Sequence, residues 1–224
     1  MVRALLAALL VHAQQVRTAD QLIDDLWGDR APETARASLH NMVSSLRRML
    51  GQGVIDTTCS GYALAIDEDD LDACRFEGLL ARACQAGAEE KVRLLETALA
   101  LWRGSPLVDV RYEEFAQGEI RRLDELRAIA YEELIAAKLE LGAGVAVVPE
   151  LQRLVGGFPF REQLRKQLML ALYRSGRSVE ALASYDEWRR TLKDSWSLEP
   201  GRDIRQLWDD IRLQAPGLEV AVRN

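Results

Sequence analysis

The chain has 224 residues, of which 48% are hydrophobic and 29% charged, with a formal net charge of −6. That balance excludes disorder and leaves room for one large domain or two small ones, each with its own core. The opening "MVRALLAALLVHA" is too short to span a bilayer and no small-residue cleavage pattern follows it, so a cytoplasmic protein is expected.

Leu5, Leu6, Leu9 and Leu10 recur at helical spacing and predict a first helix. A second begins at "TADQ", where Thr18 and Gln21 have the spacing of a capping box. Its apolar stripe is Leu22, Ile23, Leu26 and Trp27, and Gly28 ends it. After "GDRAPE" a third helix runs from about Thr34 until Gly51 stops it. In "VIDTTCSGYALAI", Ile55 and Thr57 precede the turn residues "CSG", and Tyr62, Leu64 and Ile66 follow at period two, which predicts a short β-hairpin. The acidic run Asp67 to Asp72 reads as a solvated linker that also caps the next helix.

From 72 to about 214 the periodicity is almost continuously helical, and a repeat emerges. Gly142 is followed at five and nine residues by Val147 and Leu151, with Pro159 beyond. Gly176 is followed at the same offsets by Ala181 and Tyr185. The two glycines are 34 residues apart, as are Leu134 and Leu168. This is the tetratricopeptide period, in which antiparallel helix pairs stack to cover each other's apolar faces. The second copy has Pro200 rather than a proline at 193, which points to an insertion near "DSWS". A fainter earlier copy has Ala98 and Trp102 on one helix, closed by Gly104-Ser105-Pro106.

Charge is uneven. Six arginines balance six carboxylates up to residue 63, so the remainder carries the whole −6, and 34–66 holds three arginines against Asp56. At about 100° per residue, Leu39, Val43, Leu46 and Leu50 of the third helix form one stripe expected to face the core, with Met42 at its edge. The opposite side collects Ala37, Asn41, Ser44 and Arg48, with Ser38, His40 and Ser45 beside them and Arg36 and Arg47 on a flank. A surface of small and amide side chains without a carboxylate suits the major groove of DNA, where amides pair with adenine and arginines with guanine or phosphate. Thr57, Thr58, Ser60 and Tyr62 of the hairpin add neutral phosphate or minor-groove contacts. The same residues also fit an ordinary solvated helix, whose C-terminus favours Arg47 and Arg48 through its dipole.

An enzyme is not expected. The histidines are His12 and His40, no glycine-rich phosphate loop or hydrolase motif occurs, and pairs such as Glu113-Glu114 and Glu132-Glu133 read as surface ion pairs. No cofactor or metal is implied. Cys59, Cys74 and Cys84 are odd in number and lack CxxC spacing, which predicts buried, reduced thiols.

Together, "LLAALLVHAQQVRTADQLIDDLWGDRAPETARASLHNMVSSLRRMLG", the hairpin and "QLMLALYRSGRSVEALASYDEWRRTLKDSWSLEPG" resemble the Streptomyces antibiotic regulatory protein family. The resemblance covers nearly the whole chain. It implies a mainly α protein: an N-terminally shortened winged helix-turn-helix of OmpR type at 1–66, an acidic linker at 67–72, an all-α tetratricopeptide-like bacterial transcriptional activator domain at 73–215, and a tail at 216–224. It also implies binding to direct repeats near promoters and recruitment of RNA polymerase, often for secondary-metabolite clusters. Thr34 to Leu50 would be the recognition helix. Asp29, Arg30 and Glu33, in the loop before it, would be placed to touch polymerase. A homodimer on two half-sites is the expected assembly. The family's winged helix opens with a small sheet, whereas this chain starts inside the first helix, so part of that helix's apolar face is expected to be wet. Ser45 stands where relatives commonly carry arginine. The rival expectation is a tetratricopeptide-type interaction module with reduced or lost DNA binding, against which the intact 33–66 segment stands.

Overall fold

The computed structural model describes residues 1–13 and 15–218, so the tail expected at 216–224 lies, from 219 on, outside the described residues. The chain forms two compact units, Met1–Gly78 with Ala100–Arg127, and Leu79–Leu99 with the residues from Ala128 on. The protein is mainly α: a winged helix-turn-helix followed by an all-α tetratricopeptide-like repeat.

The first unit opens with α1 (Val2–Val11), α2 (Ala19–Trp27) and α3 (Ala35–Leu50). Thr18 caps α2 with both halves of the predicted box: its hydroxyl accepts from Gln21 N at 3.2 Å while Gln21 Oε1 accepts from Thr18 N at 3.0 Å. Satisfying two otherwise orphaned amides fixes where the helix starts. Gly28 and Gly51 follow α2 and α3 with φ of 52° and 116°, conformations that favour glycine. Strands β1 (Ile55–Thr57) and β2 (Tyr62–Leu64) pair antiparallel, with Ile55 opposite Leu64 and Thr57 opposite Tyr62.

Leu5, Leu9, Leu22, Leu39, Val43, Leu46 and Ile55 pack into one core, each side chain worth roughly 1.5–3 kcal/mol of burial. Met42 joins it, as its position at the stripe's edge implies. Leu50 does not: it is 44% exposed, because the last turn of α3 runs past the cluster, which ends at Leu46 and Ile55.

The apolar face of α1 is largely covered: Leu5 and Leu9 are buried while Val2, Leu6 and Leu10 stay half-buried, so only a small part of the face is wet. Val110 and Ala116 belong to the same core as Leu5 and Leu9, with Leu107, Phe115 and Ile120 packed around it. These residues come from a 3₁₀ turn at Val108–Val110 and the start of α6 (Glu114–Glu140), so a segment more than a hundred residues downstream shields the helix.

In the second unit, α7 (Gly144–Gly157), α8 (Glu162–Arg174), α9 (Ser178–Trp196) and α10 (Arg202–Arg212) pack with the later part of α6. The 34-residue repeat is visible in the backbone. Gly142 and Gly176 have φ of 87° and 74°, and each turn closes with the same long bond, Ala143 N to Lys138 O and Arg177 N to Leu172 O, at 3.0 and 2.9 Å. These are Schellman closures. Val147, Leu151, Ala181 and Tyr185 are buried at equivalent places. The anticipated insertion is extra helix: α9 has 19 residues against 14 in α7 and runs through position 193 to Trp196. Ile204, Leu207 and Ile211 of α10 bury one face and cap the stack. Glu133 pairs with Lys91, and Glu132 with Arg161 at 3.6 Å.

Two further expectations fail. Helix α5 (Ala88–Ala100) ends before Trp102, which instead meets Phe76 of α4 (Asp72–Ala83) edge to face at 5.4 Å. An aromatic partner outside the helix outcompetes one more helical turn. The cysteines are not buried: Cys59 and Cys84 are exposed and Cys74 is half-buried, because they sit at a hairpin tip, a helix end and a helix flank outside both cores.

Candidate nucleic-acid interface

The core stripe of α3 decides which side chains remain outside. Arg36, Ala37, His40, Asn41 and Arg48 are exposed, and Ser38, Ser44 and Ser45 are half-buried beside them. The helix carries no carboxylate. Its outer surface is therefore cationic and neutral, as the sequence implied, and the eight residues lie on one continuous side.

The three arginines differ in what they are free to do. Arg48 makes no hydrogen bond or ion pair among the described residues. Arg36 meets Asp20 of α2 at 2.5 Å, with both side chains largely exposed. Such a surface pair is worth about 0–1 kcal/mol, so Arg36 can exchange Asp20 for another anion at little cost. Arg47 is committed: its Nε and a terminal nitrogen donate to the Ile55 carbonyl at 3.0 and 2.7 Å, and the latter also donates to Thr57 Oγ1 at 2.7 Å. Both acceptors are on β1, so Arg47 fixes the hairpin against α3.

The hairpin tip is equally constrained. Thr58 N donates to Gly61 O at 2.8 Å, and Thr58 Oγ1 accepts from Gly61 N at 3.1 Å and from Ser60 N at 3.3 Å. Thr57, Thr58 and Ser60 are exposed, but the Thr57 and Thr58 hydroxyls already hold the wing together. Ser60 Oγ lies 3.2 Å from Thr58 Oγ1.

A connection that the sequence did not signal pins the other edge of the wing. Arg17 and Tyr62 exchange backbone bonds, Arg17 N to Tyr62 O at 2.8 Å and Tyr62 N to Arg17 O at 2.9 Å, so the loop before α2 pairs with the free edge of β2. Gly61 makes room for it. A Cβ there would stand 2.0 Å from the Arg17 carbonyl oxygen. The "CSG" turn marks a tight bend but carries no sign of this close approach. The Arg17 guanidinium reaches Asp25 at 3.0 Å, largely shielded from water. Thr18, Asp20, Arg36, Thr57 and the tip residues 58–61 line a shallow groove between α2 and the wing.

Asp29, Arg30 and Glu33 are exposed on the loop between α2 and α3, where Gly28–Arg30 forms a single 3₁₀ turn. His12, at the end of α1, is held below the ordinary imidazole value by burial first and by the Arg17 charge, against smaller opposing effects of Asp25 and Glu119. It lies away from the outer face of α3. No cluster of histidine, cysteine and carboxylate side chains suited to a metal occurs among the described residues, and no helix among them is long and apolar enough to cross a membrane.

Comparison with known proteins agrees with this architecture. Residues 2–64 match the family described as "Transcriptional regulatory protein, C terminal", and residues 71–212 match the "Bacterial transcriptional activator domain". The chain is 39% identical over 96% of its length to the regulatory protein AfsR of Streptomyces coelicolor, of which it spans 22%. It is 35% identical over 96% of its length to the transcriptional regulatory protein MoaR1 of Mycobacterium tuberculosis, spanning 72% of that protein. A solved structure of Mycobacterium tuberculosis EmbR in complex with a low affinity phosphopeptide superposes with a TM-score of 0.92 at 34% identity, over 96% of this chain and 59% of that one.

Proposed function

From its membership of the Streptomyces antibiotic regulatory protein family, to which the chain belongs, we propose that this transcriptional regulator, which is not an enzyme, binds duplex DNA through α3 and its wing. The observation that carries the proposal is the carboxylate-free outer side of α3, with Arg48 unpaired on it and Arg47 holding a wing beside it. An α-helix of this kind fits the major groove, where Asn41 and Arg48 reach base edges or phosphate. Arg36, Ser38, His40, Ser44 and Ser45 flank them, and Thr57, Thr58 and Ser60 approach the adjoining backbone.

The proposed sequence domains are 1–66 and 73–215 with the acidic stretch 67–72 between them, although 100–127 packs into the first compact unit. Two protomers on direct repeats multiply weak half-site binding. Asp29, Arg30 and Glu33 offer RNA polymerase a contact, and each ~1.4 kcal/mol so gained raises promoter occupancy about tenfold. The regulated genes are proposed to form a secondary-metabolite cluster, and the site of action is the cytoplasm, with no cofactor required.

The experiment is a titration of labelled fragments of the protein's own regulatory region and of random duplexes at moderate salt, read by fluorescence anisotropy. The proposal requires a clear preference for the former. Equal affinity for both would overturn it.

A further inference from the structure

The groove between α2 and the wing holds one cation, Arg36, and one carboxylate, Asp20, and its other lining residues, Thr18, Ala19 and the wing from Thr57 to Tyr62, are uncharged. Arg36 belongs to α3, which has no carboxylate of its own, and Asp20 belongs to α2. Their contact at 2.5 Å is the one ion pair that α3 makes among the described residues. The outer side of α3 thus takes its single counter-charge from the neighbouring helix.

Little in the fold requires this pair. Both side chains stand in water, 69% and 76% exposed, so the contact adds little to the hold of α2 on α3. Buried Leu22, Leu39 and Val43 already supply that hold. Asp20 also lies in the first turn of α2, where a carboxylate complements the helix dipole. That role does not call for Arg36. The other nearby carboxylates do not compete for the guanidinium. Asp25 is held by Arg17 at 3.0 Å, exposed Asp24 lies outside the groove, and Glu33, three residues before Arg36, makes no ion pair with it.

Asp20 offers the Arg36 guanidinium what a phosphate of the DNA backbone would offer, an anionic oxygen beside the hydroxyl-bearing wing. To meet a phosphate, Arg36 must release Asp20, which is then left unpaired next to a polyanion. We infer that Asp20 is a built-in competitor of backbone phosphate for Arg36 and holds down the affinity of the winged helix for any duplex. The inference rests on the proposed DNA-binding face. A phosphate carries no sequence information, so the competition acts on specific and random duplexes alike. It also blunts the salt dependence, because a released Asp20 takes up a cation and offsets the counterion that Arg36 frees from DNA.

The test uses Asp20→Asn, which keeps the shape and removes the charge. The whole chain is titrated by fluorescence anisotropy against its own regulatory region and against random duplex over a range of salt. The variant should bind both about three- to fivefold more tightly at low salt, the reach of one exposed ion pair. Its slope of log affinity against log salt should steepen by about 1. Asp20→Glu, which keeps a carboxylate within reach of Arg36, should match the wild type. Adding Arg36→Gln to Asp20→Asn should erase the gain, since the effect passes through that guanidinium. Circular dichroism confirms that the variants are folded, as expected for exposed side chains.

Affinity and slope unchanged in Asp20→Asn, or a gain that survives Arg36→Gln, overturns this inference and leaves the DNA-binding face standing. A wild type that holds both duplexes equally sinks the sequence-specific reading, and the Asp20 comparison still decides this one. Binding to neither duplex sinks both.

Discussion

The Arg47 guanidinium donates twice to the carbonyl oxygen of Ile55, at 3.0 and 2.7 Å, and so ties the last turn of α3 to the first strand of the wing. Arg48, its neighbour in sequence, makes no hydrogen bond or ion pair among the described residues. Adjacent arginines that look alike in sequence thus serve different ends.

Replacing Arg47 by Met keeps the aliphatic stem and removes the bonds to β1. We expect a loss of about 1.5 kcal/mol of stability in urea denaturation, typical of hydrogen bonds made by a charged donor. DNA affinity should fall for all sequences alike, with the slope of log affinity against log salt unchanged. A slope reduced by one contact would reassign Arg47 to a phosphate.

Arg48→Ala should behave oppositely. Stability stays within about 0.5 kcal/mol, as for most exposed positions. If Arg48 meets a phosphate, the salt slope becomes shallower by about 1, and if it meets a base, discrimination among operator variants narrows. Wild-type affinity, slope and discrimination together would remove Arg48 from the interface.

Gly61→Ala forces a methyl group onto the Arg17 carbonyl, where a Cβ has 2.0 Å. The Arg17–Tyr62 rung must open, and about 1–3 kcal/mol should be lost, the range for steric overpacking. Hydrogen exchange at the Tyr62 amide reads the same event directly. Unchanged protection there would show that the loop before α2 gives way without breaking the rung.

His12 sets a pH dependence. Burial and Arg17 lower its folded value below the ordinary 6.5, so the folded state favours neutral imidazole. As pH falls through 6.5 the unfolded chain takes up the proton first, and stability declines until the folded value is also passed. This contribution is fully present above that pH and is lost in acid. His12→Asn should flatten the stability curve between neutral and mildly acidic pH, measured by thermal melts. A variant curve parallel to the wild type would place the imidazole in water.

Much of the architecture was legible because its causes are local. Thr18 and Gln21 lie three residues apart and cap within one turn, and a helical period sorts Leu39, Val43 and Leu46 from Asn41 and Arg48. Gly142 and Gly176 stand 34 residues apart, as the repeat requires, and both follow their helices with positive φ. Errors arose where a local pattern met a distant competitor or ran past the core. Trp102 has helical spacing from Ala98 but packs on Phe76, and Leu50 continues an apolar stripe beyond the last residue able to cover it.

Periodicity and capping in this sequence determine its helices, its hairpin and a helix side free of carboxylates, since each depends on neighbours within a few positions along the chain. Only the tertiary structure decides that Arg47 holds Ile55 while Arg48 stays free, that Gly61 must admit Arg17, and that Val110 and Ala116 roof the first helix. Those outcomes depend on which distant groups the packed chain brings within hydrogen-bonding or van der Waals reach, and spacing along a sequence does not encode that distance.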